Sequence, residues 1–369
     1  MTPVQLLRLG SRRVEQHLRE AAYLRLGIDA TRPLAIRAHP TERCNYRCGS
    51  CACWRLPEYP AEMTLSQWCS ALAGVAELAG RCTVQFAGGE PLLFGPFLDL
   101  VDWCRDQGLA WGMITNGSAL NARTVARLVA ARPLNIDVSV DGASSAVHDA
   151  SRGMPGSLLH IRRGLQRLRE RREAEGARFA IRVKTTVHRR NLHELPALVD
   201  WAREAGANSI DFSPVRPWTA EVRDDLWLRP EDEPRLAEVV ARLRAARRAG
   251  APIETEDERL ASWPQHFRGQ TIAPPLSPCR VGLRDLHILS NGDVRMCWEY
   301  PVVGNLTKAT AREIWRGETA RAQRRAMVNC ADFGSPKCAS SCLSHRSLAQ
   351  DWQRVRLWQP VRELPLAPR

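Results

Sequence analysis

The run Leu34-Ala-Ile-Arg-Ala38 passes through a short connector into Cys44-Asn-Tyr-Arg-Cys48-Gly-Ser-Cys51. An apolar strand-like segment that ends in a cysteine-rich loop predicts a strand whose C-terminal end carries chemistry. The pattern repeats. Thr83–Ala87, Ala110–Thr115, Asn135–Val140, Phe179–Val187 and Ser209–Ser213 also read as strands, each followed by a segment of helical period. Leu65, Trp68, Leu72 and Val75 mark one helix, and Leu158, Ile161, Leu165 and Leu168 another. Leu195, Leu198, Val199 and Ala202 mark a third, and Leu236, Val239, Val240 and Leu243 a fourth. Alternating strand and helix predicts a parallel sheet with right-handed crossovers. Six units are too few for a closed eight-strand barrel, which leaves a partial barrel or an open doubly wound sheet. In both, ligands sit at the C-terminal ends of the strands.

Composition narrows the class. The chain has 369 residues, 44% of them hydrophobic and 25% charged, which excludes wholesale disorder, collagen and coiled coil. No apolar run approaches the ~20 residues of a membrane span. The first residues lack a secretory pattern, so the cytoplasm is the expected compartment. The net charge is +13, yet of 53 basic residues only Lys184, Lys308 and Lys337 are lysines. Arginine in that excess, with abundant Ala and Pro, reads as coding bias rather than as a nucleic-acid footprint, and no nucleic-acid partner is expected. The basic stretch 162–178 contains Glu170, Glu173 and Glu175 and reads as a solvated helix face.

Twelve cysteines are unevenly placed. Cys44, Cys48, Cys51 and Cys53 crowd one loop, and Cys279, Cys297, Cys330, Cys338 and Cys342 lie in the C-terminal quarter. Cys69, Cys82 and Cys104 sit in apolar segments and read as buried thiols. Clustered cysteines in a reducing compartment bind metal more often than they pair. Three thiolates at the 44/48/51 spacing suit an iron–sulfur cluster with one open iron; a zinc site would need a fourth ligand, which Cys53 can supply. Gly88-Gly89-Glu90-Pro91 follows the second predicted strand, where glycines permit close backbone approach and Glu90 offers a carboxylate to an ammonium group. Thr115-Asn116-Gly117 and Ser139-Val-Asp141-Gly142 end the next two strands. These polar strand ends outline one pocket.

Cys-x3-Cys-x2-Cys after one strand and Gly-Gly-Glu-Pro after the next resemble the radical S-adenosylmethionine (SAM) superfamily over residues 30–345. The resemblance implies a [4Fe–4S] cluster on Cys44, Cys48 and Cys51 whose open iron binds SAM. Reductive cleavage of SAM would give a 5′-deoxyadenosyl radical that abstracts a substrate hydrogen. It also implies that Gly88, Gly89 and Glu90 hold the methionine amine, that Ser139 meets the ribose, and that Arg152 meets the SAM carboxylate. Ser50 stands where the family often has an aromatic residue against the adenine. Cys53 is then a bystander.

The C-terminal quarter resembles a twitch or SPASM auxiliary-cluster domain. Cys279, Gly292 and Cys297 match its opening, as do Gly304-Asn305-Leu306 and Ile314-Trp315, while Phe333 replaces a cysteine of the full ending. One auxiliary iron–sulfur cluster is implied, on Cys279, Cys297, Cys342 and either Cys338 or Cys330; a zinc knuckle is the alternative. Asn291-Gly292, between Leu286–Ser290 and Asp293–Cys297, predicts a hairpin, because both turn positions tolerate positive φ. A helix is predicted near Ala311–Val328. If a base is needed at this cap, Glu299 is the first candidate, before Asp293 and His287. Trp298 stands where sulfatase-maturing relatives carry an Asp.

The expected architecture is a partial (β/α)6 TIM-like barrel with a small C-terminal Cys-rich hairpin/helix cap. The divisions are an N-terminal helix (1–29), the barrel (30–250), a linker (251–278), the auxiliary-cluster domain (279–345) and a basic tail (346–369). Leu6, Leu9, Val14, Leu18 and Ala21 form the apolar stripe of the first helix, which is expected to cap the barrel. The expected partners are a small metabolite, sugar- or aminocyclitol-like, or a peptide, and a reducing flavodoxin- or ferredoxin-like electron donor. An RNA-modifying enzyme and a non-enzymatic iron–sulfur or zinc protein are the alternatives.

Overall fold

The computed structural model describes residues 3–80, 82–272 and 278–338, with side chains from residue 14 onward. Cys342, the basic tail 346–369, and the side chains of Leu6 and Leu9 lie outside the described residues. Nine strands form one sheet in the order β6-β5-β4-β3-β2-β1-β7-β8-β9. The first six are β1 (Ala35–Ala38), β2 (Thr83–Phe86), β3 (Ala110–Thr115), β4 (Asn135–Ser139), β5 (Ala180–Val187) and β6 (Ser209–Pro214). All pair in parallel with their sequence neighbours. Helices follow in turn, among them Leu65–Ala79, Phe97–Asp106, Ala122–Ala130, Ser157–Ala174, Leu195–Glu204 and Glu233–Arg248.

The two faces of this sheet differ in chemistry. Ile36, Val84, Phe86, Trp111, Met113, Ile136, Val138, Ile181, Val183, Ile210 and Phe212 are buried in the core. Phe86 and Phe97 meet edge to face at 5.3 Å, and Trp68 in the next helix is fully buried. The alternating positions are polar. Asp137 accepts from Arg182 at 2.6 and 2.7 Å, Arg182 reaches Glu254 at 3.4 Å, and Lys184 donates to Asp211 at 2.6 Å. A doubly wound sheet carries helices, and so apolar residues, on both faces. A charged inner face is that of a partial barrel.

The C-terminal hairpin is not a separate layer. Its first strand, β7 (Asp285–Ile288), pairs in parallel with β1, and β8 (Asp293–Arg295) and β9 (Gly304–Asn305) continue the sheet. The predicted hairpin forms, with Gly292 at φ +87° and Asn291 outside the left-handed region. Gly292 N–H donates to Leu289 C=O at 2.9 Å, which makes a type I turn closed by a glycine bulge. The helix predicted over 311–328 is two helices, Ala311–Arg316 and Glu318–Val328, because Gly317 adopts an extended backbone between them. The 251–278 linker contains the helices Asp257–Ala261 and Trp263–Phe267. Its residues 252–254 hydrogen-bond to Ile210 and so cover the edge of β6.

Among its described side chains, residues 14–26, the first helix, Pro3–Leu26, is anchored by polar residues. Val14 and Leu18 are exposed. Glu20 is fully buried and accepts from Arg284, from Arg280 at 3.0 Å and from Gln16 at 2.9 Å. Removing one partner from a buried ion pair costs far more than trimming an exposed side chain. Glu20→Ala should therefore destabilise the protein by about 3–5 kcal/mol in urea unfolding. Leu18→Ser should stay within about 0.5 kcal/mol. Equal effects would show that this ion pair does not hold the helix.

Candidate active site

The Cys44–Cys51 loop is fastened by backbone on two sides. On one side, Gly89 N–H donates to Thr41 C=O at 2.9 Å and Glu90 N–H to Arg43 C=O at 2.8 Å. A Cβ on Gly89 would lie 2.1 Å from the Arg43 oxygen, and Gly88, at φ +100°, would meet Thr41 and His39. The two glycines thus seat the cysteine loop against the end of β2, and the Gly89 amide hydrogen is spent on Thr41. On the other side, Arg47 N–H donates to Arg152 C=O at 3.1 Å and Gly49 N–H to Ser151 C=O at 3.2 Å. Both acceptors belong to the last turn of the helix Ser145–Arg152.

Side-chain donors point at the sulfurs. Asn116 Nδ2 lies 3.7 Å from Cys44 Sγ and donates to Asn45 at 2.8 Å. Arg152 Nη1 lies 3.8 Å from Cys48 Sγ, while its Nε pairs with the buried Asp141 at 2.9 Å. Burial pushes the Cys48 thiol up to about 11 and raises Cys44, so a metal would have to displace their protons. Cys53 is not remote: its Sγ lies 3.8 Å from Gly88 C=O, and it hydrogen-bonds Cys51, lowering that thiol. Ser139 ends β4 on the inner face, in register with Lys184.

Glu90 is sequestered. It is buried, with Oε1 accepting from Thr115 Oγ1 at 2.8 Å and Leu92 N–H at 3.2 Å, and Oε2 from Asn116 N–H at 2.7 Å. It ties β2 to the end of β3, under Asn116. Burial raises its carboxyl to about 7 against the lowering pull of those donors.

A second centre lies at the cap. One cavity is lined by Cys279, Cys297, Cys330 and Cys338 together with Glu299 and Tyr300. Both Cys330 and Cys338 reach it, rather than one of the two. Burial pushes Cys279 up to about 12 and Cys297 up to about 11, and raises Cys338. Glu299 lines this cavity and pairs with Arg216 at 2.8 Å. Asp293 is bound to Asn291 and Asn305 within the hairpin. His287 is not a surface residue of the hairpin; it is 2% exposed. Cys82 and Cys104 are buried and Cys69 partly so, as expected of core thiols.

Trp54 and His39 escaped the sequence reading, and so did the ring contacts of Trp298. Trp54 Nε1 donates to Cys48 C=O at 2.9 Å, with Arg47 and Arg55 stacked on its ring. Trp298 meets His39 with tilted rings at 5.3 Å and His287 edge to face at 5.2 Å. An aromatic residue adjoining a cysteine motif was the one available signal.

Residues 39–214 match the radical SAM superfamily, and residues 279–343 match an iron–sulfur cluster-binding domain, SPASM. The chain is thus a member of the radical SAM superfamily with a C-terminal SPASM domain. That family uses a [4Fe–4S] cluster and SAM, and the SPASM domain implies auxiliary iron–sulfur clusters. An AdoMet-dependent heme synthase of Methanosarcina barkeri is 33% identical over 47% of this chain, a match spanning only 48% of that relative. A PqqA peptide cyclase of Bradyrhizobium diazoefficiens is 24% identical over 85% of this chain and 83% of its own length. Streptococcus suis SuiB bound to precursor peptide SuiA shares the fold, with a TM-score of 0.64, 17% identity, and coverage of 87% of this chain and 71% of its own. Among the described residues, no helix is long and apolar enough to cross a membrane.

The raised Glu90 carboxyl sets a pH dependence. Between about pH 4.5 and 7 the folded chain keeps a proton on Glu90 that the unfolded chain has released. This group's contribution to stability therefore falls as pH rises through that window. Relative to Glu90→Gln, the metal-free wild type should lose about 3 kcal/mol between pH 5 and 8, read from urea unfolding at both pH values. A pH-independent difference would mean that Glu90 is already ionised.

Proposed function

We propose that the chain is a peptide-modifying radical SAM enzyme whose first cluster is held by Cys44, Cys48 and Cys51. The observation that carries this reading is the loop itself. Three thiols are clamped by backbone between the ends of β1 and β2 and the helix Ser145–Arg152, with Asn116 and Arg152 aimed at two of the sulfurs. Such donors are what thiolate ligands require. A [4Fe–4S] cluster held by Cys44, Cys48 and Cys51 would supply the one-electron reduction that cleaves SAM and so the means to remove a hydrogen from the substrate.

The chain's own residues do the rest. Arg152 and Asn116 stabilise the charged sulfurs. Glu90 fixes Asn116 from beneath, and its burial makes it a positioning residue more than a direct ligand for the SAM amine. Gly88 and Gly89 set the distance between the loop and β2, leaving the Gly89 carbonyl for the amine. Ser139 serves the ribose, and Arg152, at the loop's flank, the carboxylate. Cys279, Cys297, Cys330 and Cys338 hold the auxiliary cluster; four thiols around one cavity supply the usual number of ligands. The peptide cyclase and the peptide-bound structure support the peptide half of the expected substrates. An external one-electron donor completes the system.

The test is anaerobic reconstitution followed by dithionite and SAM. Wild type should form 5′-deoxyadenosine and hold about eight irons if both clusters are [4Fe–4S]. Replacing Cys44, Cys48 and Cys51 together with Ala should abolish 5′-deoxyadenosine yet keep the auxiliary irons, whereas Cys279→Ala should lose those irons first. Unchanged SAM cleavage in the triple variant would remove the reading.

A further inference from the structure

The two walls of the barrel interior are not equivalent. On the β4–β5–β6 side the charges are matched: Arg182 with Asp137 and Glu254, and Lys184 with Asp211. On the β2–β1–β7–β8 side, one row crosses four strands. Gln85 pairs in register with Arg37, Arg37 with His287, and His287 with Arg295. Among the described residues, neither Arg37 nor Arg295 has a carboxylate within ion-pair distance. Each residue of the row keeps a buried nitrogen without a hydrogen-bond partner there: Gln85 Nε2, Arg37 Nε, His287 Nδ1 and Arg295 Nε.

The other contacts of the row are few. Gln85 Oε1 accepts from Asn135 at 3.2 Å, and Arg295 Nη1 donates to Tyr300 C=O at 2.8 Å. Asp285, one inward position deeper on β7, is the nearest acid along that strand. Burial, with Arg37, His39 and Arg295 around it, keeps His287 neutral. Buried donors without acceptors are costly. Three such donors in one row, two of them on guanidiniums, with the polar His287 ring among them, are pre-organised for an oxyanion.

We infer that Arg37, Gln85, His287 and Arg295 form a binding site for a carboxylate of the substrate, an acidic side chain or a C-terminus. The row's position supports this assignment. Trp298 follows Cys297 in sequence and meets the rings of His287 and His39, and His39 abuts Gly88, whose carbonyl lies 3.8 Å from Cys53 Sγ. A carboxylate on this row places the bonded part of the substrate between the two cysteine centres. The matched wall opposite offers no comparable demand for an anion. The inference rests on the peptide reading above and deepens it to peptides with an acidic group at the reacting segment.

The experiment is calorimetric titration of the reconstituted full-length protein, without reductant, so that SAM cleavage plays no part. The probes are N-acetylglutamate α-amide, its glutamine isostere, N-acetylglycine and inorganic phosphate. The glutamate amide or N-acetylglycine should bind saturably, and whichever binds tighter identifies the carboxylate as side-chain or terminal. The glutamine isostere should bind at least tenfold more weakly than the tighter of the two. The Arg37→Gln/Arg295→Gln variant should lose at least tenfold in affinity for that probe, and the Lys/Lys variant should fall between. If the Gln variant does not fold, the wild-type contrast between carboxylate and amide decides alone. Equal binding of carboxylate and amide, undiminished binding in a folded Gln variant, binding of phosphate only, or displacement by SAM would each overturn the assignment. Loss of SAM cleavage in wild type would bear on the activity and not on this row.

Discussion

The contact between Gly89 and the Arg43 carbonyl fixes everything above the barrel. A methyl group at that glycine would have to occupy space 2.1 Å from the oxygen, so only glycine lets the cysteine loop settle on the end of β2. The clamp is completed from the far side by the amides of Arg47 and Gly49 reaching the helix Ser145–Arg152. Because backbone groups hold the loop, its cysteine side chains are left for another task. The same clamp brings Asn116 and Arg152 to the sulfurs, and Glu90 beneath holds Asn116 by its amide hydrogen.

A charged interior is the second constraint. Parallel strands buried on both faces read as continuous apolar runs, but here the inner positions are Arg37, Gln85, Asp137, Arg182, Lys184 and Asp211. Such a lumen is stable only where each charge finds a partner. The β4–β5–β6 wall meets that condition within the protein. The wall built from β1 and the C-terminal hairpin does not, and β7 and β8 contribute two of its four row residues, His287 and Arg295.

Much of this was legible in the sequence, and the misses have identifiable causes. The six parallel strands follow from alternating apolar segments, with bounds within a residue or so of those observed. Long-range pairing was not legible: nothing local in Asp285–Ile288 says that its partner is β1. The period-2 polarity of Asn135–Ser139 and Arg182–Thr186 was present and would have shown the inner face. Gly317 marked the break in the 311–328 helix, and propensity alone read through it. The buried face of the first helix, with Gln16 and Glu20, defeats a hydrophobic-stripe argument because its partners Arg280 and Arg284 lie far along the chain. Motif chemistry found the cysteines and Gly-Gly-Glu, but it could not show that Glu90 is sequestered or that Trp298 and His287 lie together.

The most direct measurement is the electron paramagnetic resonance spectrum of the dithionite-reduced protein before and after adding SAM. On the proposed reading the protein holds two iron–sulfur centres, of which only the one on Cys44, Cys48 and Cys51 would leave an iron open to SAM. That reading predicts two reduced-cluster signals, with SAM reshaping one and leaving the other unchanged. A spectrum that SAM leaves wholly unchanged, or a SAM-sensitive signal that persists after those three cysteines are replaced, would contradict it.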